Sequence, residues 1–179
     1  MHFIGFYDYT VILTYISVIA GINGVGQASK GHMGAAIICL IISGICDAFD
    51  GTVARSKKNR TEQEKMFGIQ IDSLCDVISF GVVPALIAYN FGMKGVVGVT
   101  IICIYTVCAV IRLAFFNVIE GERQKVEDGC NKVYRGMPVT TISMILPIFY
   151  LSKNFVSPEI FLIALHVVMA AVAFLFVLD

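Results

Sequence analysis

The chain has 179 residues, 58% of them hydrophobic and 15% charged, with a mean hydropathy of +0.83. That balance excludes a soluble domain with a solvated surface and indicates an integral membrane protein. Lys and Arg number 13 and Asp and Glu number 13, so the chain lacks the basic excess with which nucleic-acid partners are bound.

The opening stretch MHFIGFYDYTVILTY carries Asp8 and no Lys or Arg ahead of its apolar run, so no cleaved leader is expected. A helix needs about 20 apolar residues to cross about 30 Å of hydrocarbon. Such stretches predict spans over 9–29, 34–55, 68–91, 95–117, 136–152 and 159–178, with Pro147 placed to bend the fifth. No internal repeat or low-complexity linker divides them. The expectation is an all-α integral membrane protein, a six-transmembrane-helix bundle forming a single membrane domain over 1–179.

Orientation follows from the basic residues. The connection after the second span holds Arg55, Lys57, Lys58, Arg60 and Lys65, and the one after the fourth holds Arg123, Lys125, Lys132 and Arg135. The opposite connections carry Lys30, Lys94 and Lys153. The positive-inside rule makes the first two cytoplasmic, and an even number of spans then puts both termini on that side of the cell membrane. The six cysteines form no C-x-x-C pair, and His2, His32 and His166 lack ligand spacing, so neither a disulfide framework nor a zinc site is expected.

Asp47 and Asp50 fall in the last turns of the second predicted span, and Asp72 and Asp76 in the first turns of the third. An ionised carboxylate in hydrocarbon costs a few kcal/mol, so four at one depth need a reason. At about 100° per residue, Asp47, Asp50, Gly51 and Ala54 share an arc of about 100°, and Gly68, Asp72 and Asp76 one of about 80°. Gly44, Ala48 and Gly51 add a small-residue path for the close approach of a helix or ligand.

Four neighbouring carboxylates repel one another when ionised, and Arg55 is the one basic residue along the two stripes. Two divalent cations would balance them, and oxygen-rich sites suit Mg²⁺ or Mn²⁺. A metal pair about 3.5–4 Å apart is standard apparatus for polarising a phosphoryl group. Arg55 is placed to grip a phosphate oxygen, and equally placed to be a positive-inside anchor. Arg112, in an apolar setting, either faces a polar cavity or snorkels to the headgroups. A cation transporter is the rival class, since ion pathways use intramembrane carboxylates. It leaves Arg55 and the spaced glycines unexplained, and the repeats common in transporters are absent. A purely structural bundle gives the four carboxylates no compensation.

The pattern D-x2-D-G-x2-A-R followed by G-x3-D-x3-D, met by Asp47, Asp50, Gly51, Ala54, Arg55, Gly68, Asp72 and Asp76, resembles the signature of the CDP-alcohol phosphatidyltransferases. The stretches DSLCDVISFGVVPA (72–85), IRLAFFNV (111–118) and YRGMPVT (134–140) are similar to the phosphatidylserine synthase branch. Ser73 stands where relatives with a glycerol phosphate acceptor usually have proline. Phe115, Met137 and Thr140 depart from the branch, which often has arginine, leucine and proline there; these departures bear on the acceptor and leave the metal and nucleotide motif intact.

The resemblance implies a CDP-diacylglycerol donor, bound by Gly51, Ala54, Arg55 and Gly68. Its diphosphate would lie on two divalent cations, Mg²⁺ or Mn²⁺, held by Asp47, Asp50 and Asp72, with Asp76 as catalytic base and further metal contact. L-serine would attack the phosphorus bearing diacylglycerol, CMP would leave, and phosphatidylserine would form. Arg112 is the candidate for binding the serine carboxylate through its planar fork. Glycerol 3-phosphate or inositol phosphate is the alternative acceptor, with Arg112, Arg123 and Arg135 as sources of positive charge. A homodimer is left open.

Overall fold

The computed structural model describes residues 5–6, 9–57, 61–123 and 136–178, and the side chains of Thr10, Arg55, Glu120, Glu122 and Arg123 fall outside that description. Asp8, Lys58, Arg60, Lys125, Cys130, Lys132 and Arg135 also lie outside the described residues. All regular structure among the described residues is helical. A 3₁₀ turn, Tyr9–Val11, leads into α1 (Ile12–Ser29), followed by α2 (Met33–Ser56). Helix α3 (Glu62–Asp76) runs through a π-helical segment, Val77–Val82, into α4 (Val83–Phe91). After α5 (Val96–Arg123) come a 3₁₀ turn at Val139–Thr141, α6 (Ile142–Leu151), a second 3₁₀ turn at Ser152–Asn154, and α7 (Pro158–Val177).

Five stretches are long and apolar enough to cross a membrane: Ile12–Ser29, Met33–Ala54, Glu62–Phe91, Val96–Ile119 and Pro158–Val177. This is a multi-pass membrane protein. The stretch expected to be a span over 136–152 differs, because α6 has 10 α-helical residues. Pro138 holds φ −62° and ψ 142°, an extended conformation from which helix starts only at the next residue. The third span begins earlier than its apolar run suggests. Thr61 caps α3 by accepting from the Glu64 amide at 3.2 Å, while the Glu64 carboxylate accepts from the Thr61 amide at 2.7 Å, a reciprocal box that fixes a helix start.

Small residues set the packing. The buried face of α1 is Thr14, Ser17, Gly21, Gly24 and Ala28, a seam on which α2 and the α3–α4 helix approach closely. A Cβ on Gly24 would lie 3.1 Å from Cys39 Cβ on α2, and one on Gly21 would lie 3.0 Å from Val83 on α4. A Cβ on Gly44 would lie 2.7 Å from Ser143 Cβ on α6, so the small-residue path on α2 receives a helix there.

The π-helical segment follows from Pro84. Proline has no N–H to donate to the carbonyl four residues back, which belongs to Phe80. The buried Tyr105 hydroxyl of α5 donates to that carbonyl instead, and Thr106 Oγ1 lies 3.3 Å from the Gly81 carbonyl. A buried face of Phe161, Leu165, Met169, Val172 and Phe176 seats α7, with the Tyr105 and Phe176 rings 5.4 Å apart. Ile12, Ile16, Ile19 and Ile22 are exposed along the other side of α1, as expected of a surface against lipid.

Candidate active site

Helix α1 packs against both α2 and α3, and the aspartates meet there, Asp47 and Asp50 from the second half of α2 and Asp72 and Asp76 from the last turns of α3. Ligand oxygens of Asp47, Asp50 and Asp72 lie within 4.8 Å of one another. Asp50 is buried, whereas Asp47, Asp72 and Asp76 are half-buried. The Asp72 carboxyl group neighbours that of Asp50, and the Asp76 carboxyl group neighbours that of Asp47. Asp76 therefore adjoins the group of three without being part of it. Of the helical stripes read from the sequence, Asp47 and Asp50 of one and Asp72 of the other meet.

The donor set fits a hard divalent cation. Three carboxylates present oxygen ligands at mutual distances one ion can bridge, and Mg²⁺ and Mn²⁺ favour oxygen. Two glycines and an alanine accompany them: Gly51 and Ala54 on α2 and Gly68 on α3 are half-buried beside the cluster's own helices. Arg55 lies in the last turn of α2, and its side chain is outside the described residues. Arg112, on α5, reaches the segment around Gly136. A Cβ on Gly136 would lie 2.9 Å from Arg112 Nη1 and 2.7 Å from the Leu178 carbonyl, so the guanidinium packs against the segment that leads into α6. Gly136 holds φ +70°, a left-handed conformation that favours glycine.

Polar contacts at and near the cluster escape the motif. The Thr14 hydroxyl on α1 donates to Asp50 Oδ2 at 3.0 Å, in a buried setting. Deeper in the bundle, the Ser17 and Ser43 hydroxyls are 2.8 Å apart, Ser43 Oγ donates to the Ser17 carbonyl at 3.0 Å, and Ser17 Oγ lies 3.3 Å from Ser79 Oγ. These bonds pin α1, α2 and the π-helical segment to one another. Ser73, next to Asp72, donates to Asn117 Oδ1 on α5 at 2.7 Å. The available sequence signal was the spacing 14, 17, 21, 24, 28 of small and hydroxyl residues on an otherwise isoleucine- and valine-rich helix.

Comparison with known proteins bears on this cluster. The chain is 33% identical over 141 residues to the CDP-diacylglycerol–serine O-phosphatidyltransferase of Mycobacterium bovis, covering 74% of this chain and 46% of that protein. It is 38% identical over 113 residues to the enzyme of the same name from Saccharomyces cerevisiae, covering 62% of this chain and 40% of that one. It is also 29% identical over 161 residues to the archaetidylserine synthase of Methanothermobacter thermautotrophicus, covering 88% and 65%. The chain spans about half the length of the curated relatives it matches. No solved structure matches it at significance. The profile of CDP-alcohol phosphatidyltransferases matches residues 8–177, so the match takes in α1 and α7 as well as the aspartate motif, and the chain belongs to that family.

Proposed function

We propose that the protein transfers the phosphatidyl group of CDP-diacylglycerol to L-serine, forming phosphatidylserine and releasing CMP. The observation that carries this reading is the meeting of Asp47, Asp50 and Asp72 within 4.8 Å, from two stretches otherwise apolar enough to cross a membrane. The serine acceptor is supported by the relatives' names, which have serine or a seryl product in common across bacterial, yeast and archaeal proteins. Ser73, which donates to Asn117, stands where relatives with a glycerol phosphate acceptor usually have proline, which favours serine over glycerol 3-phosphate. The cation-transporter reading has no support from the family match.

Asp47, Asp50 and Asp72 would hold Mg²⁺ or Mn²⁺, with Asp76 at its edge. When bound, such ions neutralise diphosphate charge and steady the leaving oxygen. Gly51, Ala54 and Gly68 leave the cytidine and diphosphate room against helix backbone, and Arg55 supplies charge-assisted hydrogen bonds to a phosphate. Asp76, in contact with Asp47, accepts the serine hydroxyl proton. The serine oxygen then bonds to the phosphorus bearing diacylglycerol as the bond from that phosphorus to the CMP oxygen breaks. Arg112 binds the serine carboxylate. In this reading α6 and its flanking turns form a sixth crossing, the aspartates and both termini face the cytoplasm, and the acyl chains stay in lipid. The basic residues of the connections after α2 and α5 support that orientation.

The test is to incubate purified protein with CDP-diacylglycerol, Mn²⁺ or Mg²⁺ and each acceptor, and to measure CMP. Serine-dependent CMP that disappears on chelation is the expected result. CMP formed with glycerol 3-phosphate or inositol phosphate and not with serine would overturn the acceptor, and full activity in excess chelator would overturn the metal site.

A further inference from the structure

Helix α1 carries none of the motif residues, yet it supplies the buried hydroxyl in contact with the cluster. Thr14 is 4% exposed and Asp50 7%, and the 3.0 Å bond between them joins residues 36 positions apart. A carboxylate free to rotate presents its oxygens in many directions, and a donor on one oxygen removes that freedom. We infer that Thr14 is a positioning residue of the metal site, holding the Asp50 carboxylate plane so that its remaining lone pairs face the oxygens of Asp47 and Asp72. The inference rests on the metal reading of the aspartates and adds to it a residue outside the family motif.

A buried hydroxyl needs a partner wherever it sits, so helix packing alone is the competing account. The same seam contains its own control. Ser17, one turn further along α1, spends its hydroxyl on Ser43 and Ser79, which joins helices and touches no carboxylate. If Thr14 served packing alone, loss of its hydroxyl would resemble loss of Ser17's. If it orients Asp50, the loss is felt in metal affinity, since removing the partner that orients a metal ligand typically weakens binding ~10–100-fold.

The experiment measures binding of Mn²⁺ alone to purified protein in detergent by paramagnetic resonance of the free ion, with melting temperature in parallel. Thr14→Val, which keeps the shape and removes the hydroxyl, is expected to weaken Mn²⁺ binding ~10–100-fold. Thr14→Ser, which keeps the hydroxyl, should restore binding to near the parent value. Ser17→Ala should lower the melting temperature and leave Mn²⁺ affinity unchanged. Thr14→Val binding Mn²⁺ as tightly as the parent, or Thr14→Ser as weakly as Thr14→Val, overturns the inference. Should Thr14→Val not fold, Thr14→Ala set against Thr14→Ser is judged by the same outcomes. A parent protein that binds no Mn²⁺, or an Asp47→Asn variant that binds it unchanged, overturns the metal reading itself and this inference with it.

Discussion

Asp47, Asp50 and Asp72 and the adjoining Asp76 separate into two roles that kinetics can tell apart. Asn at Asp47, Asp50 or Asp72 removes a negative charge from a cluster whose ligand atoms lie within 4.8 Å, so Mn²⁺ binding and CMP release should fail together. Asn at Asp76 removes the proposed proton acceptor while leaving that group of three intact. The expected result is a fall in kcat of about 10²–10⁴-fold with Mn²⁺ affinity retained. Equal loss of metal binding would make Asp76 a ligand and leave the base unassigned. The two arginines divide in the same way. Arg112→Lys keeps the charge and loses the planar fork, so KM for serine should rise while KM for CDP-diacylglycerol stays unchanged. Arg55→Lys should raise the KM for CDP-diacylglycerol first. A lower melting temperature with both KM values unchanged would reduce Arg112 to a clasp on Gly136, the contact in which its guanidinium sits.

At the scale of elements, the π-helical segment depends on a partner from another helix. Tyr105→Phe leaves the Phe80 carbonyl without the hydroxyl that replaces the missing Pro84 amide, and an orphaned buried acceptor costs about 1–3 kcal/mol. A melting temperature unchanged by that substitution would show the bond to be dispensable. Much of the helical plan was legible because hydrocarbon thickness translates directly into apolar run length, and the meeting of the aspartates was legible because helical spacing fixes which residues share a face. What escaped depends on information that hydropathy does not carry. The start of α3 at Glu62 is set by the Thr61 and Glu64 cap, a polar signal lying outside the apolar run. The shortness of α6 is set by the backbone of Pro138, since an apolar residue in an extended segment looks like one in a helix. The partners of Thr14 and Asn117 lie 36 and 44 positions away; the spacing 14, 17, 21, 24, 28 marks a seam on α1 without saying what Thr14 meets.

Across the whole molecule, orientation is open to direct measurement. In a background without native cysteines, single cysteines placed near Lys30, Lys94 and Lys153 should react with an impermeant reagent outside intact cells. Those placed near Lys58 and Lys125 should not, and the reverse pattern would put the aspartates on the face away from cytidine nucleotides. The helices are also unequal in length. Glu62–Phe91 is a stretch of 30 residues, about 45 Å at helical rise, while α6 with both its 3₁₀ turns extends about 27 Å. If α6 makes the sixth crossing proposed above, a bilayer core of about 30 Å would thin or dimple beside it, at a fraction of a kcal/mol per Å. Membrane thickness then becomes a variable of the proposed transfer: reconstituted in lipids of increasing acyl length, the protein should lose that activity in the thickest bilayers, where stretching across α6 pulls on the Gly44 contact with Ser143 and through α2 on Asp47 and Asp50.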